Sequence, residues 1–400
     1  MDTNLVRQKA IQEVPSSKEK IQYYENAIPD FVAQAMNGCY GDLYSSIAYL
    51  RLAGKLSAST CTYVAGVEGA IRSIFLFERE GELVKVLNGA IKTDQEEVGR
   101  FANYIFGRMP QIHKICFPGV HMKELQVPYP YQRFFSGEDI VISFGGTADE
   151  YAQQLGKNTR KSIKRHATAL RKRHPGAGYS VVKGHSIDAP LGNLIVNWNR
   201  QRMSDKNKVS AYNEDEVRRI TALASQDGMI GTISVENRVR AGTICCRVGD
   251  TCYLAIMGHD SEYNEFSLGM LCNYWTTLEC LRMECKEINL MGGRLPYKYS
   301  FLGEPRRYDC VVLYRNRNAL VRNIKDAIKT ALHGYATDVK LSILDCERKE
   351  GMAARMVVRA ISNWREARQT YHRIRKRVLL PFDCMWMAMA MQVAESVPLP

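Results

Sequence analysis

One pattern occurs twice along this chain and restricts its fold more than any other feature. Three short strand-like runs are followed by an amphipathic helix and then by one more strand. In the first copy the runs are Cys61 to Val67, Ala70 to Glu78 and Leu83 to Asn88. Gly66-Val67-Glu68-Gly69 and Arg79-Glu80-Gly81 separate them with hairpin-turn residues. Asp94 to Gly107 then puts Val98, Phe101, Ala102, Ile105 and Phe106 on one helical face, and Gln111 to Cys116 reads as the closing strand. In the second copy the runs are Met229 to Val235, Ala241 to Val248 and Thr251 to Met257, turning at Glu236-Asn237-Arg238 and Gly249-Asp250. Ser267 to Arg282 is the helix and Glu287 to Met291 the closing strand. This repetition predicts an internal duplication of fold without obvious sequence identity. The expected class is α/β (α+β): two tandem units, each a mixed, mostly antiparallel sheet flanked by helices.

The flanking segments are less regular. Residues 1–26 read as a polar leader with an amphipathic helix, and Asp30 to Lys55 as a helical region broken near Asn37-Gly38. Pro128, Pro130 and the cluster Tyr129, Tyr131, Phe134 and Phe135 mark a connector, with a strand from Ile140 to Phe144. Asp149 to Arg173 reads as one long basic helix, stopped by His174-Pro175-Gly176. Leu191 to Met203 and Asn213 to Ser225 read as helices, and Cys310 to Tyr314 as a last strand. Ala319 to Leu332 and Ala353 to Lys376 are helical again. The expected division is 1–148, a connecting helix at 149–178, a second unit at 179–317 and a basic helical tail at 318–400.

Charge narrows the partners. Lys and Arg number 55 against 42 Asp and Glu, a formal net charge of +13. That balance favours an anionic partner: a nucleotide cofactor, nucleic acid, an acidic polysaccharide or an anionic membrane face. Met1 to Lys20 lacks the apolar core of a secretory signal, and no stretch reaches the roughly 20 apolar residues of a membrane span. Val378 to Met391 is apolar but short and carries Pro381 and Asp383, which suits a docked terminal segment or a partner surface. The expected location is cytoplasmic, or peripheral to the inner membrane face. The twelve cysteines form no C-x-x-C pair, and the eight histidines lack metal-ligand spacing. The expectation is reduced, buried thiols and no metal.

The stretch from Tyr253 to Leu302 carries the chemistry. A strand runs into the polar loop Ser261-Glu262-Tyr263-Asn264-Glu265-Phe266, which opens onto a helix at Ser267-Leu268-Gly269-Met270-Leu271. Ser267 suits an N-cap, and Gly269 lets the backbone approach a ligand. The first-turn N–H groups and the helix dipole favour a pyrophosphate. Next, Asn289-Leu290-Met291-Gly292-Gly293 ends a strand in two glycines, and Tyr297-Lys298 follows.

Together these segments resemble the acetyltransferase-like proteins related to those encoded with bacterial cellulose and exopolysaccharide genes. These belong to the GNAT superfamily and are similar in fold to the peptidyltransferases that build peptidoglycan cross-bridges. The matching positions are Tyr253, Tyr263, Ser267-Leu268-Gly269, Gly293 and Tyr297-Lys298. Leu155-Gly156-Lys157 with Arg160 to Arg165 looks like the segment between the family's two halves. The resemblance spans about residues 60–315. Leu268 stands where the family usually has Pro, and Asn289 where many members have Asp.

The resemblance implies tandem GNAT-like domains and acetyl-CoA or a longer acyl-CoA as cosubstrate. The acyl group would pass to an amine or hydroxyl of a sugar, a polysaccharide precursor or a related metabolite. The Met257 or Gly258 N–H would polarise the thioester carbonyl. Ser267, Leu268, Gly269 and Met270 would hold the donor, and Lys298 a phosphate or acidic acceptor. His259 is the first candidate base, with Asp260 or Glu265 next; Tyr297 is the candidate acid, Tyr299 its alternative. Tyr263 would wall the pocket. The first copy opens its helix with Asp94, Glu96 and Glu97, which repel a phosphate, so it is expected only to shape the acceptor cleft. Two other readings stand beside this one. The basic run Lys157 to Arg173 could bind an anionic acceptor or a tRNA for aminoacyl transfer, although it has no stacking aromatics. The chain could also be a non-catalytic scaffold in a polysaccharide-making complex. Arg355 to Arg377 is a second basic region that suits a membrane face.

Overall fold

The computed structural model describes residues 19–205 and 212–348. In chain order the first copy runs β1 (Glu19–Tyr24), α1 (Phe31–Tyr40), α2 (Ile47–Leu52), β2 (Cys61–Val67), β3 (Ala70–Glu80), β4 (Leu83–Val86), β5 (Ile91–Lys92), α3 (Gln95–Arg108), β6 (Lys114–His121) and β7 (Tyr131–Ser143). Two helices bridge the copies, α4 (Ala148–Gln154) and α5 (Lys157–Arg173). The second copy runs β8 (Gly178–Lys183), α6 (Ala189–Ser204), α7 (Glu214–Asp227), β9 (Gly228–Val235), β10 (Arg238–Val248), β11 (Thr251–His259), α8 (Leu268–Arg282), β12 (Glu287–Asn289), α9 (Pro296–Ser300) and β13 (Glu304–Tyr314). Helices α10 (Arg317–Arg322) and α11 (Ile324–Arg348) follow.

The strands form one sheet, ordered β1-β2-β3-β4-β6-β13-β7-β12-β11-β10-β9-β8, with β5 paired to β6. The order reads alike from both ends: edge strand, meander, then a parallel neighbour at β4–β6 and again at β11–β12. At the centre the copies exchange strands. β7 follows the first copy in sequence but pairs with β12 of the second. β13 follows the second copy but pairs with β6 of the first, and β7 and β13 pair with each other. The expected duplication is therefore present as a mixed sheet flanked by helices, but the two units share one continuous sheet.

Helices cover both faces. Val98, Phe101, Ala102, Ile105 and Phe106 of α3 are buried as expected, with Phe101 between Tyr63, Phe75, Phe77 and Phe117. Burying each of the Val, Ile and Phe side chains contributes roughly 1.5–3 kcal/mol. α1 and α2 cover the opposite face of that half. In the second half α8 packs with α4 and α5 on one face, and α6 with α7 on the other. Cys61, Cys245, Cys246, Cys252, Cys272, Cys280, Cys285 and Cys310 are buried thiols. Among the described residues no helix is long and apolar enough to cross a membrane, and no cluster of His, Cys, Asp and Glu could hold a metal.

Several local expectations change. Residues 19–24 are not leader helix but strand β1, because alternating Ile21 and Tyr23 pair antiparallel with β2. α1 passes through Asn37-Gly38 and stops at Gly41, whose φ of 55° favours a residue free of Cβ crowding. The aromatic connector is largely strand: Tyr131, Phe134 and Phe135 belong to β7, where they meet β13. The long basic helix is two helices. Thr147 and Glu150 form a capping box on α4, and extended backbone at Leu155 and Gly156 separates it from α5. Segments 353–376 and 378–391, with the basic run 355–377, lie outside the described residues, as do residues 1–18.

Candidate active site

The second copy contains an opening that its sheet creates. β12 pairs in parallel with β11 only at Thr251–Tyr253 against Glu287–Asn289. β11 continues along β10 to His259. From Leu254 onward the edge of β11 that faced β12 is left without a strand partner among the described residues. A bulge lies at the point of divergence, where the register on β10 skips Ala255. Ala255 and Ile256 consequently enter the same core, while Met257 turns to the other face.

Side chains claim the carbonyls on this vacated edge. Tyr212 Oη donates to the Ala255 carbonyl at 2.8 Å, and Asn199 Nδ2 to the Met257 carbonyl at 2.9 Å. In an extended strand the N–H and C=O of one residue leave on the same side. The Met257 N–H therefore faces the opening. Gly258 is buried against α6; a Cβ there would lie 2.1 Å from the Ile195 carbonyl oxygen. Its lack of a side chain lets α6 press onto β11 and bring Asn199 within reach.

His259 ends β11. Its Nε2 lies 3.0 Å from Asn264 Oδ1, which assigns the ring proton to Nε2. Its Nδ1 is buried, has no hydrogen-bond partner among the described residues, and faces the first turn of α8, where a Cβ on Gly269 would come within 2.9 Å. Burial, aided by the nearby Arg202 charge, holds the imidazole pKa below its ordinary value despite the Asn264 bond and Asp260. The ring is thus a neutral imidazole with one unclaimed lone pair.

Helix α8 begins differently from the expectation. Ser267 does not cap it with its side chain. Instead Ser267 adopts the left-handed region at φ 49°, and its carbonyl accepts from the Met270 and Leu271 N–H groups at 3.0 and 3.1 Å. Its Oγ lies 3.4 Å from His166 Nε2. The serine cap is corrected for a steric reason: an N-cap side chain reaches the N2 or N3 amide from extended backbone, not from a left-handed residue. The matching helix of the first copy is closed off. Asp94 accepts from the Glu96 and Glu97 N–H groups, and β5 fills the gap beside β6.

The other candidates divide. Asp260 is tied to Arg240 Nη1 at 2.8 Å and accepts the Glu262 N–H, so its carboxylate is held by Arg240 and the loop backbone. Glu265 is paired with Arg173 at 3.1 Å, and its carbonyl accepts from His166 Nδ1. It fastens the basic helix to the loop before α8 and does not point a base at the opening. Tyr263 stacks under Arg240, 5.1 Å from the ring centroid to the guanidinium. Tyr297 and Tyr299 pack partly buried against the α8 core. Burial raises the Tyr297 hydroxyl pKa, with Arg202 opposing. Lys298 is the clearest correction. It is 3% exposed and donates to the Met291 and Gly292 carbonyls at 2.9 and 2.6 Å. Burial draws its pKa down to about 8. It clips the Gly-Gly turn from inside and does not reach a phosphate.

Asn289 donates to Asp139 Oδ2 at 2.9 Å and accepts the Met291 N–H at 2.7 Å. A carboxylate is thus present beside the strand end, supplied by β7. The sequence reading missed Asn199, Arg202, Tyr212, His166 and Asp139. Arg202 Nε is buried without a partner among the described residues, and its charge bears on both His259 and Tyr297. A detectable signal was the spacing of Ile195, Asn199 and Arg202, which puts polar side chains on the buried face of α6.

No curated protein matches the sequence. Among solved structures, FemX is 8% identical, over 71% of this chain and 96% of that one, at a TM-score of 0.49. A protein of unknown function from Bacteroides thetaiotaomicron VPI-5482 is 12% identical, over 72% and 98%, at 0.48. A tandem GNAT protein from the clavulanic acid biosynthesis pathway is 11% identical, over 74% and 99%, at 0.33. Residues 157–299, from the start of α5 through the divergent β11 and the head of α8 to α9, match the family model described as an acetyltransferase (GNAT) domain.

Proposed function

We propose that this protein transfers an acyl group from acyl-CoA to an acceptor amine or hydroxyl, of a sugar, a polysaccharide precursor or a related metabolite. The observation that carries this reading is the divergence of β11 from β12, with the Met257 N–H facing the gap and an uncapped helix head beside it. The match of residues 157–299 to the GNAT family model supports it. The first-turn N–H groups of α8, including Leu268 and Gly269, would hold the donor's pyrophosphate. The Met257 N–H polarises the thioester carbonyl, and Asn199 holds the adjoining peptide through the Met257 carbonyl. His259 would accept the nucleophile's proton at Nδ1, and Tyr297 would protonate the thiolate. The location that fits is the cytoplasm, where acyl-CoA is found.

Free-thiol release from acetyl-CoA in the presence of amine or hydroxyl acceptors tests the proposal. His259→Gln should lower turnover by about 10²–10⁴-fold while acetyl-CoA affinity stays within twofold. Loss of affinity equal to the loss of turnover would count against His259 as base. A second reading draws on α5, where Lys157, Arg160, Lys161, Lys164, Arg165, Arg171, Lys172 and Arg173 are all exposed. That surface would suit a tRNA carrying an aminoacyl donor. Steeply salt-dependent tRNA binding without acetyl-CoA binding would favour it.

A further inference from the structure

A second polar site lies at the centre of the sheet, on the face that α6 and α7 also cover. Tyr253 on β11 stands opposite Asn289 on β12, Asn289 opposite Val141 on β7, and Asp139 opposite Arg306 on β13. Side chains alternate along a strand, so Tyr253, Asn289, Asp139, Arg306 and Tyr308 share one face. Ile140, Ile142 and Ile288 take the other, in the α8 core. The segment before α2 reaches over this floor. Asp42 Oδ2 accepts from Tyr253 Oη at 3.0 Å, its Oδ1 accepts the Tyr44 N–H at 2.8 Å, and Tyr44 Oη approaches Met291 Sδ at 3.9 Å.

The charges on this floor do not balance. Arg306 is committed to Glu287 by two bonds of 2.6 and 2.8 Å, and Arg294 to Glu138. Lys298 gives its bonds to carbonyls. Asp42 and Asp139, 7% and 5% exposed, have no salt bridge among the described residues. Burial raises both carboxyl pKa values, Asp42 to about 7, and the Asp139 charge adds to the rise at Asp42. An independent observation points the same way. Tyr308 is 6% exposed, its Oη has no hydrogen-bond partner among the described residues, and Asp139 and Asp42 are the charges that most raise its hydroxyl pKa after burial. A buried hydroxyl without a partner is destabilising. Two buried carboxyls without a salt bridge, beside an unpartnered hydroxyl, suit a cation with several N–H donors.

We infer that Asp42, Asp139 and Tyr308 form the acceptor-recognition site and that it takes a primary ammonium group. The role as acceptor site rests on the acyl-transfer reading; the ammonium preference rests on the floor itself. An ammonium has three donors, enough for both carboxylates and the Tyr308 oxygen. The site joins both copies, since Asp42 and Asp139 come from the first and Tyr253 and Asn289 from the second.

Titration calorimetry on the full chain tests this, with putrescine, L-lysine and D-glucosamine as probes and their N-acetylated forms as uncharged comparators. At least one amine should saturate, its acetylated form should not, and both Asp139→Asn and Tyr308→Phe should weaken it at least tenfold. Acetyl-CoA affinity, measured on the same samples, should stay unchanged, which also shows that the variants are folded. Absence of saturation by every amine, equal binding of an acetylated form, or unchanged amine affinity in both variants would overturn the inference. Amine binding without acetyl-CoA binding would sustain the ammonium site and remove the donor reading alone.

Discussion

At the scale of single residues, protonation is the most testable consequence of burial. Asp42 has a folded pKa of about 7, against roughly 3.9 for a free aspartate. Between those values the folded chain holds a proton that the unfolded chain has released. The contribution is therefore fully present below about pH 4 and is lost as pH rises to about 7. Asp42→Asn keeps the acceptor for the Tyr44 N–H and removes the titration. It should raise the melting temperature at pH 8, by an amount on the order of a few kcal/mol of stability, and leave it nearly unchanged at pH 4. Equal melting temperatures of variant and parent at both pH values would contradict this. The kinetic counterpart concerns His259, whose pKa lies below that of an ordinary imidazole. The acid limb of kcat/KM should therefore fall below pH 6.5. Individual fates of this kind were poorly legible in the sequence. A lysine defaults to solvent, and only the fold shows Lys298 spending its donors on the Met291 and Gly292 carbonyls. A serine before a helix defaults to a cap, and only the backbone shows Ser267 in the left-handed region.

At the scale of elements, legibility tracked how local the determinants are. The meander strands β2, β3, β9 and β10 were readable because their turns and alternation lie within a dozen residues. α3 and α8 were readable from their periodic apolar faces. β7 was not, because its prolines and aromatics suggest a loop and its two partners are distant in sequence. The edge strands β1 and β8 were missed because each is only six residues long. The juncture of β11 with α8 yields a specific prediction. Gly269 sits against the His259 ring, where a Cβ would lie 2.9 Å from Nδ1. Gly269→Ala should displace the imidazole and lower turnover by about tenfold or more, with a smaller effect on acetyl-CoA affinity. Thiol-release kinetics and calorimetry on the same variant check it. An affinity loss larger than the turnover loss would show that Gly269 serves the donor alone.

At the scale of the whole molecule, the strand exchange decides what can fold. β7 lies between β12 and β13, and β13 lies between β6 and β7. The duplication was visible in the sequence; the exchange was not, because pairing between strands far apart leaves no local periodicity. A fragment covering residues 149–348 would leave the inner edge of β12 open and deprive β13 of both partners. It should aggregate or lack a cooperative melt, whereas residues 19–348 should unfold in one transition, as circular dichroism and size-exclusion chromatography can establish. A monomeric fragment with a sharp melt would contradict the shared sheet. The same architecture leaves an open gap with an uncapped helix head in the second copy and a filled gap with an acid-capped helix in the first. Calorimetric titration of the intact chain with acetyl-CoA tests that asymmetry most directly. One saturable site per chain, weakened at least a hundredfold in Gly269→Trp, is the predicted result; absence of saturable binding, or binding unaffected by that substitution, would contradict it.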